Sequence, residues 1–311
     1  MSPPDGPWYG RKSRNAFLSA YEGGLWETAN RFWQRNYAGD YLGLAIMFLA
    51  WLLLHVFMEP FHQMFRLNDP RIQHPYAQHE RVPVALLLTA AFVVPFVSLS
   101  VYALVYRRDL HQAKVTSLGF GISLLMTTLA TDILKNAVGR PRPDLLSRCQ
   151  PEPNTPSDEL VTIGVCTRTQ HHVLHDGWRS WPSGHTSLAF AGLGWFALLI
   201  ASQTHAVRRY ASLTTILFSL LPLICAALIG ISRLEDCRHD VGDVLIGGLL
   251  GSSVAYLNWR RYYPSLATEG CEEPFPAPGG GYYPSPMDIN RIHEEEVGLV
   301  TADQTAMEAR V

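Results

Sequence analysis

Apolar stretches alternate with polar ones along the chain, and the apolar stretches fall into six blocks, at 41–58, 84–106, 115–137, 186–202, 211–231 and 241–256. A helix rises about 1.5 Å per residue, so crossing a hydrocarbon core takes about 20 mainly apolar residues. The first five blocks meet that length. The sixth is short and rich in glycine (Gly242, Gly247, Gly248, Gly251). It can still span if it packs closely on its neighbours. The pattern predicts an all-α, polytopic membrane protein with six transmembrane helices. A soluble all-α domain with buried helices is the alternative.

The polar stretches divide the chain into an arm (1–40), a six-span domain (41–260) and a tail (261–311). In the arm, Leu25, Trp26, Phe32, Trp33 and Tyr37 interleave with Arg31 and Arg35, which suggests a helix lying in the membrane interface. The first forty residues show no early apolar region of a secretory signal, so the first span is expected to target the chain. The loop 59–83 holds scattered histidines (His62, His74, His79), read as solvent-exposed. Pro95 lies inside the second span, where a kink is expected. The tail turns Pro/Gly-rich and then acidic at Glu294, Glu295 and Glu296, a composition expected to stay disordered. Cys271 in that tail is read as unlipidated.

Basic residues set the expected orientation. With the N-terminus in the cytoplasm, Arg11, Lys12, Arg14, Arg31, Arg35, Arg107, Arg108, Lys114, Arg208, Arg209, Arg260 and Arg261 flank cytoplasmic ends, against Arg66, Arg71, Arg81 and the cations of the motif loops, which have a chemical use, on the opposite side. Both termini are therefore expected in the cytoplasm. The net charge of −2 over 311 residues argues against a nucleic-acid partner.

Three motifs then fall on the lumenal or extracellular face. The first runs from Lys135 to Arg142-Pro143. The second is Pro182-Ser183-Gly184-His185, at the start of the fourth span. The third runs from Ser232-Arg233 through His239 to Asp243. Ser183 and Gly184 offer a hydroxyl and unhindered amides at a helix start, a natural anion site. His239 and Asp243 stand four apart, so on a helix they share a face, and the carboxylate can fix the imidazole tautomer and leave Nε2 as nucleophile. Lys135, Arg142 and Arg233 supply positive charge for phosphate oxygens. With the Ser183–Gly184 amides they can do what magnesium does in many phosphoryl-transfer enzymes, so no metal or other cofactor is expected. His185 can protonate the leaving oxygen and then activate water. Asp132 and Lys135, three apart near the end of a span, are functional candidates by their depth. Cys149 and Cys166 lie in the long polar loop 138–181, in a compartment that permits a disulfide; two free thiols are the alternative. His171, His172 and His175 share that loop without a defined ligand geometry and are not read as a metal site.

With these motifs in order, the chain resembles the type 2 phosphatidate phosphatases, or lipid phosphate phosphatases. Their signature is Lys-x6-Arg-Pro, then Pro-Ser-Gly-His, then Ser-Arg-x5-His-x3-Asp, and all three parts match without a departure. The resemblance covers roughly 40–260. It implies a six-helix membrane fold with the site at the non-cytoplasmic end of the bundle. It implies His239 as nucleophile, Asp243 as its orienting partner and His185 as acid/base. Lys135, Arg142, Ser183, Gly184, His185 and Arg233 would hold the phosphate, without a metal. The wording from Gly139 to Asp144, then Arg148-Cys149 and Asp176 to Pro182, looks like the fungal and plant branch that cleaves diacylglycerol pyrophosphate and phosphatidate.

The expected function is hydrolysis of phosphatidate, diacylglycerol pyrophosphate or lysophosphatidate, phospholipid substrates drawn from the bilayer. An isoprenoid pyrophosphate or sphingoid-base phosphate is the alternative substrate. A catalytically silent lipid-phosphate binder or transporter is the alternative of another class; it should have lost a histidine or the Asp, and none is lost. Vanadium haloperoxidases resemble the motif set too, but they are soluble. Oligomeric state, organelle and acyl preference are not written in these residues.

Overall fold

The computed structural model describes residues 25–277. The arm's residues 1–24 and the acidic tail from 278 onward lie outside them. Two units are distinguished, one of residues 1–38 with 276–311 and one of Gly39–Phe275. In the first, α1 (Leu25–Arg35) is an amphipathic helix with Trp26, Phe32 and Trp33 exposed.

The second unit holds six helices long and apolar enough to cross a membrane: α2 (Ala38–Phe57), α3 (Val84–Arg107), α4 (Leu110–Val138), α7 (Gly184–Gln203), α8 (Leu213–Glu235) and α9 (Val241–Tyr262). The protein is thus an integral membrane protein with six spans, and no β-strand occurs among the described residues. Two one-turn helices, α5 (Leu145–Cys149) and α6 (His171–His175), stand in the loop before α7. The sixth apolar block is longer than its composition suggested, because the helix runs on through Arg260 and Arg261 to Tyr262.

The hub is α7. Its small residues Ala189, Ala191 and Ala197 are buried together with Trp195, between α4, α8 and α9. With lipid outside, helices gain little from hydrophobicity and much from close approach. Gly251 of α9 shows this: a Cβ there would stand 2.2 Å from the Ser187 carbonyl oxygen. On the other side Pro95 interrupts α3, having no N–H to offer the Ala91 carbonyl. Wider i→i+5 turns flank it at Thr89–Val93 and Tyr102–Arg107. The Ala91 oxygen lies 1.9 Å from where a Cβ on Gly192 would be, so α3 and α7 touch backbone to backbone. By contrast α2 buries none of its residues, and Ile46, Leu49, Leu53 and Val56 face outward as lipid-contacting groups.

The loops at the site end are not loose. Phe65 and Val161 exchange backbone hydrogen bonds of 3.0 and 2.8 Å, joining the loop 58–83 to the loop 139–183. Phe65, Ile72, Leu145, Cys149, Leu174 and Trp178 form a small core under them. Cys149 and Cys166 are joined by a disulfide. His62, read as exposed, is half-buried: its ring meets Trp178 edge-on and its Nε2 lies 3.0 Å from His175 Nδ1. At the opposite end, residues 263–275 depart from the disordered tail expected beyond 261. Ser202 Oγ donates to the Cys271 carbonyl at 2.6 Å, and Gln112 and Gln203 both donate to that of Glu272, so the segment folds back on the bundle. Hydrogen bonds to distant residues, with the full burial of Tyr263 and Cys271, supply the order that its own composition does not.

Candidate active site

The three motifs converge at one end of the bundle. Lys135 comes from the last turn of α4, Arg142 from the loop that follows, Gly184 and His185 from the first turn of α7, Arg233 from the last turn of α8, and His239 from the α8–α9 turn. All six line one cavity of about 500 Å³. Ser183 and Asp243 lie directly behind it, each fully buried.

The start of α9 explains how Asp243 is aimed. Asp240 is the N-cap, and its side chain accepts from the Val241 amide at 2.7 Å, while the Asp243 carboxylate accepts from the Asp240 amide at 3.0 Å. This reciprocal capping fixes the carboxylate. Ser180 Oγ donates to its Oδ2 at 2.5 Å and Arg140 Nη1 to its Oδ1 at 2.8 Å. His239 precedes the helix rather than sharing its face. Its Nδ1 stands 3.5 Å from Asp243 Oδ2. That is long for a hydrogen bond, and the buried Nδ1 has no closer partner among the described residues. Burial pushes the His239 pKa well below its ordinary value; the Asp243 contact opposes this, and Arg142 and Lys135 add to it. The imidazole is held neutral, the form a nucleophile needs.

The cations are held by protein oxygens. Lys135 Nζ donates to the Arg179 carbonyl at 2.6 Å. Arg142 forks onto Asp176, donating to its carbonyl at 2.8 Å and to Oδ1 at 2.9 Å. Arg148 Nη1 donates to Asp176 Oδ2 at 2.9 Å. Burial alone would raise the Asp176 pKa, but Arg142 and Arg148 outweigh it and hold the carboxyl below the usual range. Arg233 donates to Asp236 at 2.8 Å and to Glu80 Oε2 at 2.9 Å. Glu80 also lies 3.2 Å from Arg238 Nη2 and 3.7 Å from His185 Nε2. That Nε2 is buried and has no hydrogen-bond partner. At the α7 start, Ser183 Oγ accepts from Thr186 at 2.9 Å, and the first amides of the helix have no carbonyl of their own to meet.

A family model described as the PAP2 superfamily matches residues 116–266. The chain is 39% identical over 236 residues to a protein of Schizosaccharomyces pombe named probable diacylglycerol pyrophosphate phosphatase 1, covering 76% of this chain and 84% of that one. The chain belongs to the PAP2 superfamily. It is also 40% identical over 214 residues to the diacylglycerol pyrophosphate phosphatase 1 of Saccharomyces cerevisiae, covering 68% of this chain and 74% of that one. With lipid phosphate phosphatase 2 of Arabidopsis thaliana it shares 33% over 233 residues, 74% and 78% of the two chains. No solved structure matches.

Several residues around the PAP2 motifs had no role in the sequence reading. Arg140 and Ser180 are bonded to the Asp243 carboxylate. Arg148, Arg179 and Arg238 line the cavity beside the motif cations, and Glu80 projects into it from the loop before α3. Asp132, noted for its depth, accepts from Arg179 at 2.6 Å and from Trp51 at 2.9 Å. The signal for Arg148, Asp176 and Ser180 was available in the wording shared with the fungal and plant branch. For Glu80 there was none, since it lies outside every motif.

Proposed function

We propose that the chain is a membrane lipid phosphate phosphatase that hydrolyses phosphatidate, diacylglycerol pyrophosphate and lysophosphatidate through a phosphohistidine on His239, without a metal. The observation that carries this reading is the single cavity in which the motif histidines and cations converge, at the end of an apolar bundle. A headgroup can enter there while the acyl chains stay in lipid. The names of the relatives in yeast and plant support the substrate class.

In the first step His239 Nε2 attacks phosphorus, the P–O bond to the leaving group breaks, and His185 gives a proton to the departing oxygen. Asp243 holds the Nδ1–H and stabilises the charge that appears on the ring. In the second step His185 takes a proton from water, the water oxygen bonds to phosphorus, and the P–N bond breaks. Lys135, Arg142, Arg233 and the Gly184 and His185 amides face the non-bridging oxygens, where charge builds in both steps. Glu80 must leave Arg233 for a phosphate to take its place.

We assign the site to the lumenal or extracellular side and both ends of the six-span unit to the cytoplasm, a reading supported by the basic flanks Arg107, Arg108, Arg208, Arg209, Arg260 and Arg261. The exposed Trp26, Phe32 and Trp33 of α1 suit an interfacial helix.

The test is phosphate release from mixed micelles of phosphatidate or diacylglycerol pyrophosphate with EDTA present, for wild type and His239→Ala. EDTA-resistant release that vanishes in the variant is expected. Release that EDTA abolishes would overturn the metal-free mechanism. Silence on both lipids by folded wild type would move the substrate to isoprenoid or sphingoid phosphates.

A further inference from the structure

At the end of the bundle opposite the phosphate site, three metal-ligating side chains point at one spot. His205 follows α7 in a left-handed turn with φ of 53°. Cys271 and Glu272 come from the segment that folds back over the helix ends. His205 Nδ1 lies 3.6 Å from Cys271 Sγ and 3.8 Å from Glu272 Oε2. All three donor atoms fall within 4.8 Å of one another.

These separations suit a metal. A tetrahedral site with Zn–S of about 2.3 Å and Zn–N of about 2.0 Å sets those two donors about 3.5 Å apart. Hydrogen bonding among the three side chains accounts for the arrangement less well. A neutral ring nitrogen makes one good hydrogen bond, yet the same Nδ1 faces both a thiol and a carboxylate. Glu272 Oε2 is buried and has no hydrogen-bond partner at all. An orphaned buried carboxylate oxygen is costly, and a cation answers it.

The ligands are also held in place. Ser202 donates to the Cys271 carbonyl at 2.6 Å and Gln203 to the Glu272 carbonyl at 2.7 Å. Cys271 is fully buried and is a free thiol. Burial and the Glu272 carboxylate hold the thiol above its ordinary pKa, while Arg208 pulls the other way.

We propose that His205, Cys271 and Glu272 bind one thiophilic divalent cation of the zinc class, with a water or similar small ligand in the fourth position. The ion would staple the 263–275 segment to the end of α7, across 66 residues of chain. Binding forms the metal–sulfur bond and releases the thiol proton to solvent. This site is separate from the phosphate cavity, so its failure leaves the phosphatase reading untouched.

The probe is Co²⁺, titrated into the full chain in detergent after dialysis against a chelator. One Co²⁺ per chain is expected, with a thiolate-to-cobalt charge-transfer band in the near ultraviolet that one equivalent of Zn²⁺ removes. Cys271→Ser should abolish the band. His205→Ala should retain the thiolate but weaken cobalt binding at least about tenfold. The Glu59, His171 and His175 group at the other end holds no cysteine, so cobalt there gives no such band. Absence of the band at saturating Co²⁺ overturns the proposal. So does a band that survives Cys271→Ser, which would assign it to Cys225 or Cys237. If Cys271→Ser does not fold, unchanged cobalt affinity in His205→Ala overturns it equally.

Discussion

Glu80→Gln is the perturbation that separates two uses of the carboxylate in the cavity. Glu80 pairs with Arg233 at 2.9 Å and with Arg238 at 3.2 Å. It therefore competes with any phosphate for those donors, and it also orients them. The second effect is the smaller. Arg233 keeps its 2.8 Å bond to Asp236 and its contact with Ser232, and Arg238 keeps the Ala77 carbonyl at 3.0 Å and the face of the Tyr76 ring. The Glu80 side chain is 25% exposed, so water screens its ion pairs. Arg233 is only 1% exposed, so that screening is partial, and the pair is worth about 1–3 kcal/mol, or about 5- to 150-fold in a binding constant. Glutamine keeps the shape and removes the charge. The expected result is a Ki for inorganic phosphate, as competitive product inhibitor of lipid hydrolysis, that falls at least about fivefold. A Ki that rises would mean that Glu80 serves to position Arg233. An unchanged Ki would place phosphate elsewhere in the cavity.

Asp243→Asn should lower turnover on the order of 10²–10⁴-fold with the protein still inserted, as loss of an imidazole-orienting carboxylate does elsewhere; wild-type phosphate release would exclude the orienting role. Arg140→Ala removes the 2.8 Å bond to Asp243 and should cut kcat about tenfold with KM unchanged, in initial-rate assays of both. Because His239 must be neutral to attack, and burial holds its pKa below 6.5, the acid limb of the kcat/KM profile should lie below pH 6.5. An acid limb above that value would mean another group controls it. Opening the Cys149–Cys166 loop, which spans a separation of 17 residues, should cost about 3 kcal/mol in the outer loops, read as a lower melting temperature for Cys149→Ser.

The spans and the motif residues were legible because both are written locally. Runs such as 115–137 are apolar whatever surrounds them, and His239 and Asp243 carry their spacing with them. What escaped depends on contacts between distant segments. The loop 58–83 reads as polar and irregular, yet Phe65 pairs with Val161 and Trp178 donates to the Gln63 carbonyl at 2.9 Å. Nothing in the loop's own wording says that it forms a core with the segment before α7. Residues 263–275 read as a disordered tail for the same reason, since their order rests on Ser202, Gln203 and Gln112. Arg140 illustrates a finer limit. It stands two residues from Arg142, but one guanidinium turns to Asp243 and the other to Asp176.

These pairings explain how a cavity with so many cations can exist at a membrane surface before substrate arrives. A buried guanidinium without a partner is strongly unfavourable. Here Arg142 and Arg148 share Asp176, Arg179 rests on Asp132, and Arg233 has Asp236 behind it. Those three carboxylates stabilise the cations before a phosphate binds. Glu80 differs from them, because it bridges Arg233 and Arg238 and also lies 3.7 Å from His185 Nε2. On the proposed reading, a dianionic headgroup entering from lipid would exchange with one protein carboxylate rather than being added to a fixed set. The cations then gain a second negative charge without an increase in buried positive charge. The step is most favourable for the headgroup with the greatest charge, which is the physical reason to compare diacylglycerol pyrophosphate with phosphatidate in wild type and Glu80→Gln. A preference for the pyrophosphate that shrinks in the variant, where charge exchange is no longer required, fits this account. A preference of equal size in both would assign selectivity to Arg148 and Arg238 instead.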